Sequence, residues 1–310
     1  MEEMGEYIGI RFGHLAPGRS EPEWTYLPHS EFDGIGGLAH LLRTRGVQLP
    51  ELPKIPHPSN PSWSWFLKTI PKYAAKRTRL NWGNVDPGPG PKNTRIPPVA
   101  FAWHVFSEEE TAGIIASAKK RARVSVNSFL LKHLSQAIRP SIQNPDAAIP
   151  WMIPVNLRGK VVREKDTSNY SSYIGFKIHA QDQHPEVHQK LYSRLDRGEH
   201  WANWYCYTAG KALSPGLKKY LLKNDQAMSE WFLGGFSNLG NWDAEKKFRQ
   251  PGCEGAWLFS PPVLSIQMLG AGCITFQNRL SLLIQAHADL TTNPEVTRQW
   301  MHRWVGEILG

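Results

Sequence analysis

Apolar residues along the chain recur at two spacings, and the changes between them mark out the elements. Near the start, "EYIGIRFG" and "EWTYLPH" predict two strands joined by the turn-rich "HLAPGRSEP". The spacing then lengthens. In "GIGGLAHLLRTRG", Ile35, Leu38, Leu41 and Leu42 fall three or four positions apart, which predicts a helix closed by Gly46. Further on, "PVAFAWHVF" reads as a strand. Ser107 with Glu110 three residues later has the capping-box pattern that opens a helix. Asn127 is placed to cap a second helix, "SFLLKHLSQAI".

"AAIPWMIPVNLRG" and "SNYSSYIGFKIHA" are strand-like, and helical patterns follow over about 184–212 and 215–231. "SEWFLGGFSNLG", "PVLSIQMLGAGC" and "ITFQNRLSLLIQAHADL" supply the later strands. A last amphipathic helix begins near Pro294 and carries Val296, Trp300, Trp304, Val305 and Ile308. This alternation predicts an α/β sandwich with a mixed sheet.

Proline divides the chain. Eleven of its 24 prolines lie between Pro50 and Pro98, a density that excludes long regular elements apart from "WSWFLKTIPKYAAK". Residues 50–98 are therefore expected to cross between a short unit, 1–49, and a larger one, 99–310.

Composition narrows the class without choosing a partner. With 310 residues, 41% hydrophobic and 20% charged, the chain can bury a sizeable core. No run approaches the roughly 18 apolar residues of a membrane span. "MEEMGEYIGI" lacks the basic and apolar regions of a signal peptide, so the cytoplasm is the expected location. Cys206, Cys253 and Cys273 form no even-numbered framework and no CxxC pair, as in a reducing compartment. The formal charge of +9 is dispersed, with small clusters at "PKYAAKRTR" and "KKRAR". Neither is the continuous run of a nucleic-acid tail, so no nucleic-acid partner is expected.

The candidate chemistry lies in "WTYLPHSEFDGIGG", where His29 is followed by Asp33 and Gly34. A histidine with a pKa near ~6.5 can take a proton from a hydroxyl, amine or thiol at neutral pH. An aspartate four residues on can brace the turn or the imidazole, and glycine permits backbone conformations closed to other residues. The same residues also suit a surface histidine beside an Asp-Gly turn. By residue type alone, Ser237 and Asn238 in "GFSNLG" would satisfy backbone groups at a strand end. His184 and His188 in "HPEVH" lack the H-E-x-x-H order and a third ligand nearby, which predicts a solvated helix face and no metal.

The order of segments over 99–310 resembles the second lobe of condensation domains, within the chloramphenicol acetyltransferase-like superfamily. "FAWHVFSEEETAGIIASAKKRARVSVNSFLLKHLSQAI", "WMIPVNLRGKV", "NYSSYIGFKI", "GGFSNLGNWD" and the late paired strands are similar to that lobe's consecutive pieces. The resemblance implies a chloramphenicol acetyltransferase-like sandwich. Its C-terminal lobe would be 99–310, and its truncated N-terminal lobe would be the remnant 1–49 carrying the His-Asp-Gly motif.

The resemblance also implies roles. The superfamily signature is H-H-x-x-x-D-G; here Pro28 stands for the first histidine and His29 matches the second, the general base. Asp33 would hold the loop, with Arg158 of "PVNLR" as its partner, and Ser237 would donate to an oxyanion. Gly34, Arg158 and Asn238 would border the substrate. "LLIQAHADLTT" resembles a decayed copy of the motif, with His287 at the first-histidine position and Ala288 at the base position. The implied activity is acyl transfer from acyl-CoA or an acyl carrier protein to a hydroxyl or amine, without a further cofactor. A second copy or a separate N-terminal chain would complete the site. The contrasting expectation is a catalytically inactive binding or scaffold protein.

Overall fold

The computed structural model describes residues 8–49, 51–54, 64, 81–83, 85–89, 100–211, 232–242, 254–265 and 267–310. The first strands, β1 (Gly9–Leu15) and β2 (Glu23–Pro28), pair antiparallel from Gly9 opposite Pro28 to His14 opposite Glu23. α1 (Gly34–Thr44) follows, closed by Gly46 at φ +82°. Then come β3 (Phe101–Val105), α2 (Glu108–Ala116) and α3 (Val126–Ile138). β4 (Ile149–Asn156) and β5 (Ser171–Ile178) form an antiparallel pair.

The region 184–212 is two helices rather than one, α4 (His184–Asp196) and α5 (Glu199–Lys211), separated at Gly198 with φ +69°. The chain continues with β6 (Gly234–Asn241), β7 (Ala256–Ser260), β8 (Leu269–Phe276), β9 (Arg279–Ala286) and α6 (Pro294–Leu309).

These strands make two sheets, β2-β1-β7 and β3-β9-β8-β6-β4-β5, the second mixed because β4-β6 and β6-β8 are parallel. β7 carries no strand signal in the sequence, since its five residues are all buried and show no alternation. It has a consequence for the domain boundary. The sheet begun by residues 9–28 takes its third strand from 256–260, so the N-terminal segment is not a free-standing unit.

β8 explains how the sheets meet. All eight of its residues are buried, and they alternate between two cores. Leu269, Ala271 and Cys273 face the core that holds Leu130 of α3 and Trp304 of α6. Ile274 and Phe276 face the core shared with α1 and the three-stranded sheet. On that second face Gly270 and Gly272 admit the β7 backbone: a Cβ on either would collide with the carbonyl oxygens of Pro261 or Phe259. Polar side chains of β9 then satisfy β7. Ser281 donates to the Trp257 carbonyl, and Gln285 Nε2 donates to that of Pro261 at 2.6 Å.

Local chemistry starts the helices. Ser107 and Glu110 form the capping box, with Glu108, Glu109 and Glu110 at the positive end of the helix dipole. α3 is capped by Ser125, whose side chain accepts from Ser128 N, rather than by Asn127. Asn127 sits inside the first turn, two residues too late to cap. Asn293 caps α6, with Pro294 at its first position. The last strands are a hairpin that turns at Gln277 and Asn278, with φ of 49° and 59°; β8 therefore runs on to Phe276, past the expected break after Cys273.

The helix expected over 215–231 and most of the Pro-rich stretch lie outside the described residues. In the part of that stretch that is described, Trp82 stacks on Trp300, and Thr292 N donates to the Pro87 carbonyl. His184 and His188 do not form a solvated face, because they pack on α3. His184 Nε2 lies 3.1 Å from His133 Nε2, and His188 Nδ1 accepts from Ser125 N at 3.3 Å. Cys273 is buried, and burial pushes its thiol pKa up, as for a packing residue.

Candidate active site

The site is built where β2 runs into α1. β2 stops at Pro28, whose carbonyl accepts from both Glu31 N and Phe32 N at 3.1 Å, folding 28–32 into a turn. His29 is the first residue beyond the strand, and its backbone N–H donates to Ile8 O at 3.0 Å. Its Nδ1 lies 3.0 Å from the Phe32 carbonyl oxygen. A carbonyl oxygen can only accept, so this contact requires the Nδ1–H tautomer and leaves the lone pair on Nε2. The imidazole is half-buried.

Asp33 ends the turn in extended conformation and caps α1, accepting from Gly36 N at 2.7 Å. Its two oxygens also receive Arg158, Nη1 at 2.7 Å and Nη2 at 2.9 Å, and Tyr170 N at 2.7 Å. The remaining donors of Arg158 go to Asp166 O, Asn156 Oδ1 and Ser168 O. Both residues are 4% exposed. A buried carboxylate and guanidinium are tolerated when every lone pair and proton has a partner, as in this pair. Arg158 thus works on the loop: its fork is occupied by protein acceptors, and it presents no donor to a ligand.

Gly34 contributes through space rather than through an unusual φ. A Cβ there would lie 2.6 Å from Leu239 Cδ2 and 2.8 Å from the Phe259 ring. The start of α1 consequently rests on the end of β6. Ser237 is two residues before Leu239 and shares its face of β6, the one turned toward the α1 core. Asn238 points the other way. Its Oδ1 accepts from Gly240 N at 2.8 Å in a turn where Gly240 has φ +83° and the pairing with β8 shifts register. The Asn238 side chain shapes the end of the strand.

Two residues with no part in the motif hold the turn from the opposite side. Asn169 N donates to Glu31 O at 2.9 Å, and its Nδ2 donates to His29 O at 2.7 Å. Tyr170 supplies the backbone donor to Asp33 and a ring 4.6 Å from the Arg158 guanidinium. The local half of this arrangement has a sequence signal: "SNYS" is an Asx turn, with Asn169 Oδ1 accepting from Ser171 N at 2.9 Å. The contact across 140 positions has none.

The end of β9 repeats the turn. The His287 carbonyl accepts from Leu290 N at 2.9 Å and Thr291 N at 3.1 Å, as Pro28 does from its third and fourth neighbours. That match places His287 opposite Pro28 and Ala288 opposite His29. His287 is 5% exposed, and its Nδ1 accepts from Asp289 N at 3.1 Å. A surface cavity of about 430 Å³ lies elsewhere, between α2 and the end of α6, lined by Ile114, Lys120 and Ile308 among others.

Solved structures share this architecture along nearly the whole chain. The epimerization domain from the third module of tyrocidine synthetase B matches with a TM-score of 0.55 at 13% identity, over 93% of this chain and 68% of that one. The fold is that of condensation domains and acetyltransferases of the chloramphenicol acetyltransferase-like type. Polyketide synthase associated protein 5 from Mycobacterium tuberculosis has it too, with a TM-score of 0.53 at 15% identity over 94% of this chain and 74% of that one. So does trichothecene 15-O-acetyltransferase from Fusarium sporotrichioides, at 0.54 and 12%, over 97% and 70%. The chain spans about seven-tenths of the length of these condensation-fold neighbours. No protein-family profile and no curated protein matches it by sequence. Among the described residues, no helix is long and apolar enough to cross a membrane.

Proposed function

We propose that this chain is an acyltransferase in which His29 is the general base. It takes the proton of a hydroxyl or amine acceptor, which attacks the carbonyl carbon of an acyl thioester; the thiolate leaves and is reprotonated. The donor is acyl-CoA or an acyl carrier protein, and the acidic character of both suits a chain of net charge +9. Ser237 donates to the oxyanion of the tetrahedral intermediate. Asp33 and Arg158 hold the loop. Residues 99–310 act as the second lobe, 50–98 as the crossing segment, and 1–49 together with the β7 strand as what this chain contributes to the first.

The observation that carries the reading is the turn of His29. Its Nδ1–H is engaged by Phe32 O, which leaves Nε2 basic, and a charge-neutralised Asp33–Arg158 pair braces the backbone around it. The condensation-type fold of the neighbours supports the reaction class. The test is release of the free thiol from a panel of acyl-CoA donors, comparing wild type with His29→Ala. Retained turnover in wild type and a loss of about 10²-fold or more in the variant is the expected result. Equal rates would leave the binding or scaffold reading in its place.

A further inference from the structure

Among the described residues, Gln267 Nε2 has no hydrogen-bond partner, although the residue is only 4% exposed. An amide buried without a partner costs free energy that an acceptor carried by a ligand would offset. The backbone that bears it is fixed by a tight turn just before β8. There Gln267 N donates to Leu264 O at 2.9 Å, and Gln267 O accepts from Leu264 N at 3.0 Å.

The amide lies over β6. A Cβ on Gly235 would meet Gln267 Nε2 at 2.5 Å and Met152 Cε at 3.6 Å, so the amide stands where the side chain of residue 235 would be. Strand alternation puts residues 235, 237 and 239 on one face. Along that face come, in order, the Gln267 amide, the Ser237 hydroxyl and Leu239, against which Gly34 at the start of α1 rests. Successive places on this line are about 6.8 Å apart. On its β8 side the line is covered by the β7 backbone over Gly272. On its other side the face continues over β4 and β5, where Met152, Pro154, Tyr173 and Gly175 are all partly exposed.

From this geometry we infer that Gln267 binds the acyl donor, its Nε2 donating to the first amide carbonyl of a pantetheine arm. The inference deepens the acyl-transfer reading and rests on it for the identity of the ligand. In that reading the thioester carbonyl sits at Ser237, and the acceptor reaches the His29 turn on the Leu239 side. Gln267 is on the opposite side of Ser237, which leaves it to the rest of the donor. An acyl chain offers a hydrogen-bond acceptor only in some donors, whereas the arm carries its amides in both acyl-CoA and acyl carrier protein. The first of those carbonyls follows the thioester by roughly 6–7 Å, one two-residue step of a strand.

The variant that isolates the donor group is Gln267→Met, which keeps the length of the side chain and removes the amide. Two acetyl thioesters serve as probes. S-acetyl-N-acetylcysteamine has the first amide of the arm, and S-pentyl thioacetate has methylenes in its place. The ratio of their kcat/KM values for thiol release is expected to fall about 3-fold to 10-fold from wild type to variant, through KM. The urea midpoint is expected to hold or rise, because the variant no longer buries an unpartnered amide.

A ratio that the substitution leaves unchanged overturns the inference, including the case of an equal loss of kcat on both probes. A lowered midpoint also overturns it, since the amide would then serve the fold. If wild type releases thiol from neither probe, acyl transfer fails as a reading. The ratio of the two dissociation constants, from ligand-observed NMR titrations of wild type and variant, then decides the Gln267 contact by the same criterion, and absence of binding overturns it.

Discussion

Asp33 and Arg158 are 125 positions apart and joined by two hydrogen bonds of 2.7 and 2.9 Å between wholly buried groups. One is the cap of α1 and the other follows β4, so the pair ties the two sheets together beside the candidate base. Removing one partner strands a buried charge, which is costlier than never having had the pair.

Asp33→Ala is therefore expected to destabilise the protein by about 3–5 kcal/mol, read from the shift of the urea midpoint at constant slope. Arg158→Lys should lose much of the same stability, because an ammonium cannot reproduce a fork that serves Asp33, Asn156, Asp166 and Ser168 at once. Wild-type stability in either variant would mean that the pair holds nothing.

Gly36 lies against the 166–168 loop. A Cβ at that position would run into the Thr167 carbonyl oxygen, backbone that cannot swing away, and would press on Arg158 Nη2 at 2.8 Å. Gly36→Ala should cost about 1–3 kcal/mol despite alanine's better helix propensity. Gly113→Ala, in open space on α2, should be neutral or stabilising by a few tenths to ~1 kcal/mol. Comparing the two unfolding midpoints separates contact from propensity.

Ser237→Ala tests the oxyanion role. Loss of one donor of this kind lowers kcat by about 10²–10³-fold, and the fold should survive, since the change removes a single hydroxyl. An unchanged rate of thiol release together with an unchanged unfolding midpoint would take Ser237 out of the mechanism.

Acid should loosen the packing of α4 on α3. Burial first, then the neighbouring His184 and Lys132, lower the pKa of His133 to about 4; burial also lowers those of His184 and His188. The 3.1 Å contact between His133 and His184 needs at least one neutral ring, and the nearest counter-charge, Glu307, is 3.9 Å away. The unfolded histidines bind protons near pH ~6.5 and folded His133 only near 4, so the unfolded state gains protons first. Stability is full above about pH 6.5 and falls as the pH drops toward 4, by a few kcal/mol in order of magnitude. Urea midpoints measured across that window should decline, and His133→Phe should flatten the decline. A flat wild-type profile would contradict the assignment.

Much of this architecture was already present in short-range pattern. The strands at 9–15 and 23–28, the capping box at Ser107, the Asn-and-Pro start of α6 and the His-Asp-Gly turn all follow from neighbours within four positions. Elsewhere local signals tie or are silent. Ser125 and Asn127 are both competent caps, and the choice of Ser125 coincides with His188 receiving its backbone N–H. β7 is buried on both sides and has no alternation to read.

The order of strands and helices, the helix starts and the identity of the histidine with its Asp-Gly companion came from the chain's own local chemistry, because caps, turns and side-chain period depend on a few adjacent residues. Tertiary structure decided what surrounds that histidine. Arg158 meets Asp33, Asn169 meets His29, β7 closes the first sheet, and Leu239 seats Gly34. Each is a contact between segments more than 100 positions apart, made because a buried charge, carbonyl or sheet edge has to find its complement wherever the packed chain brings one within reach.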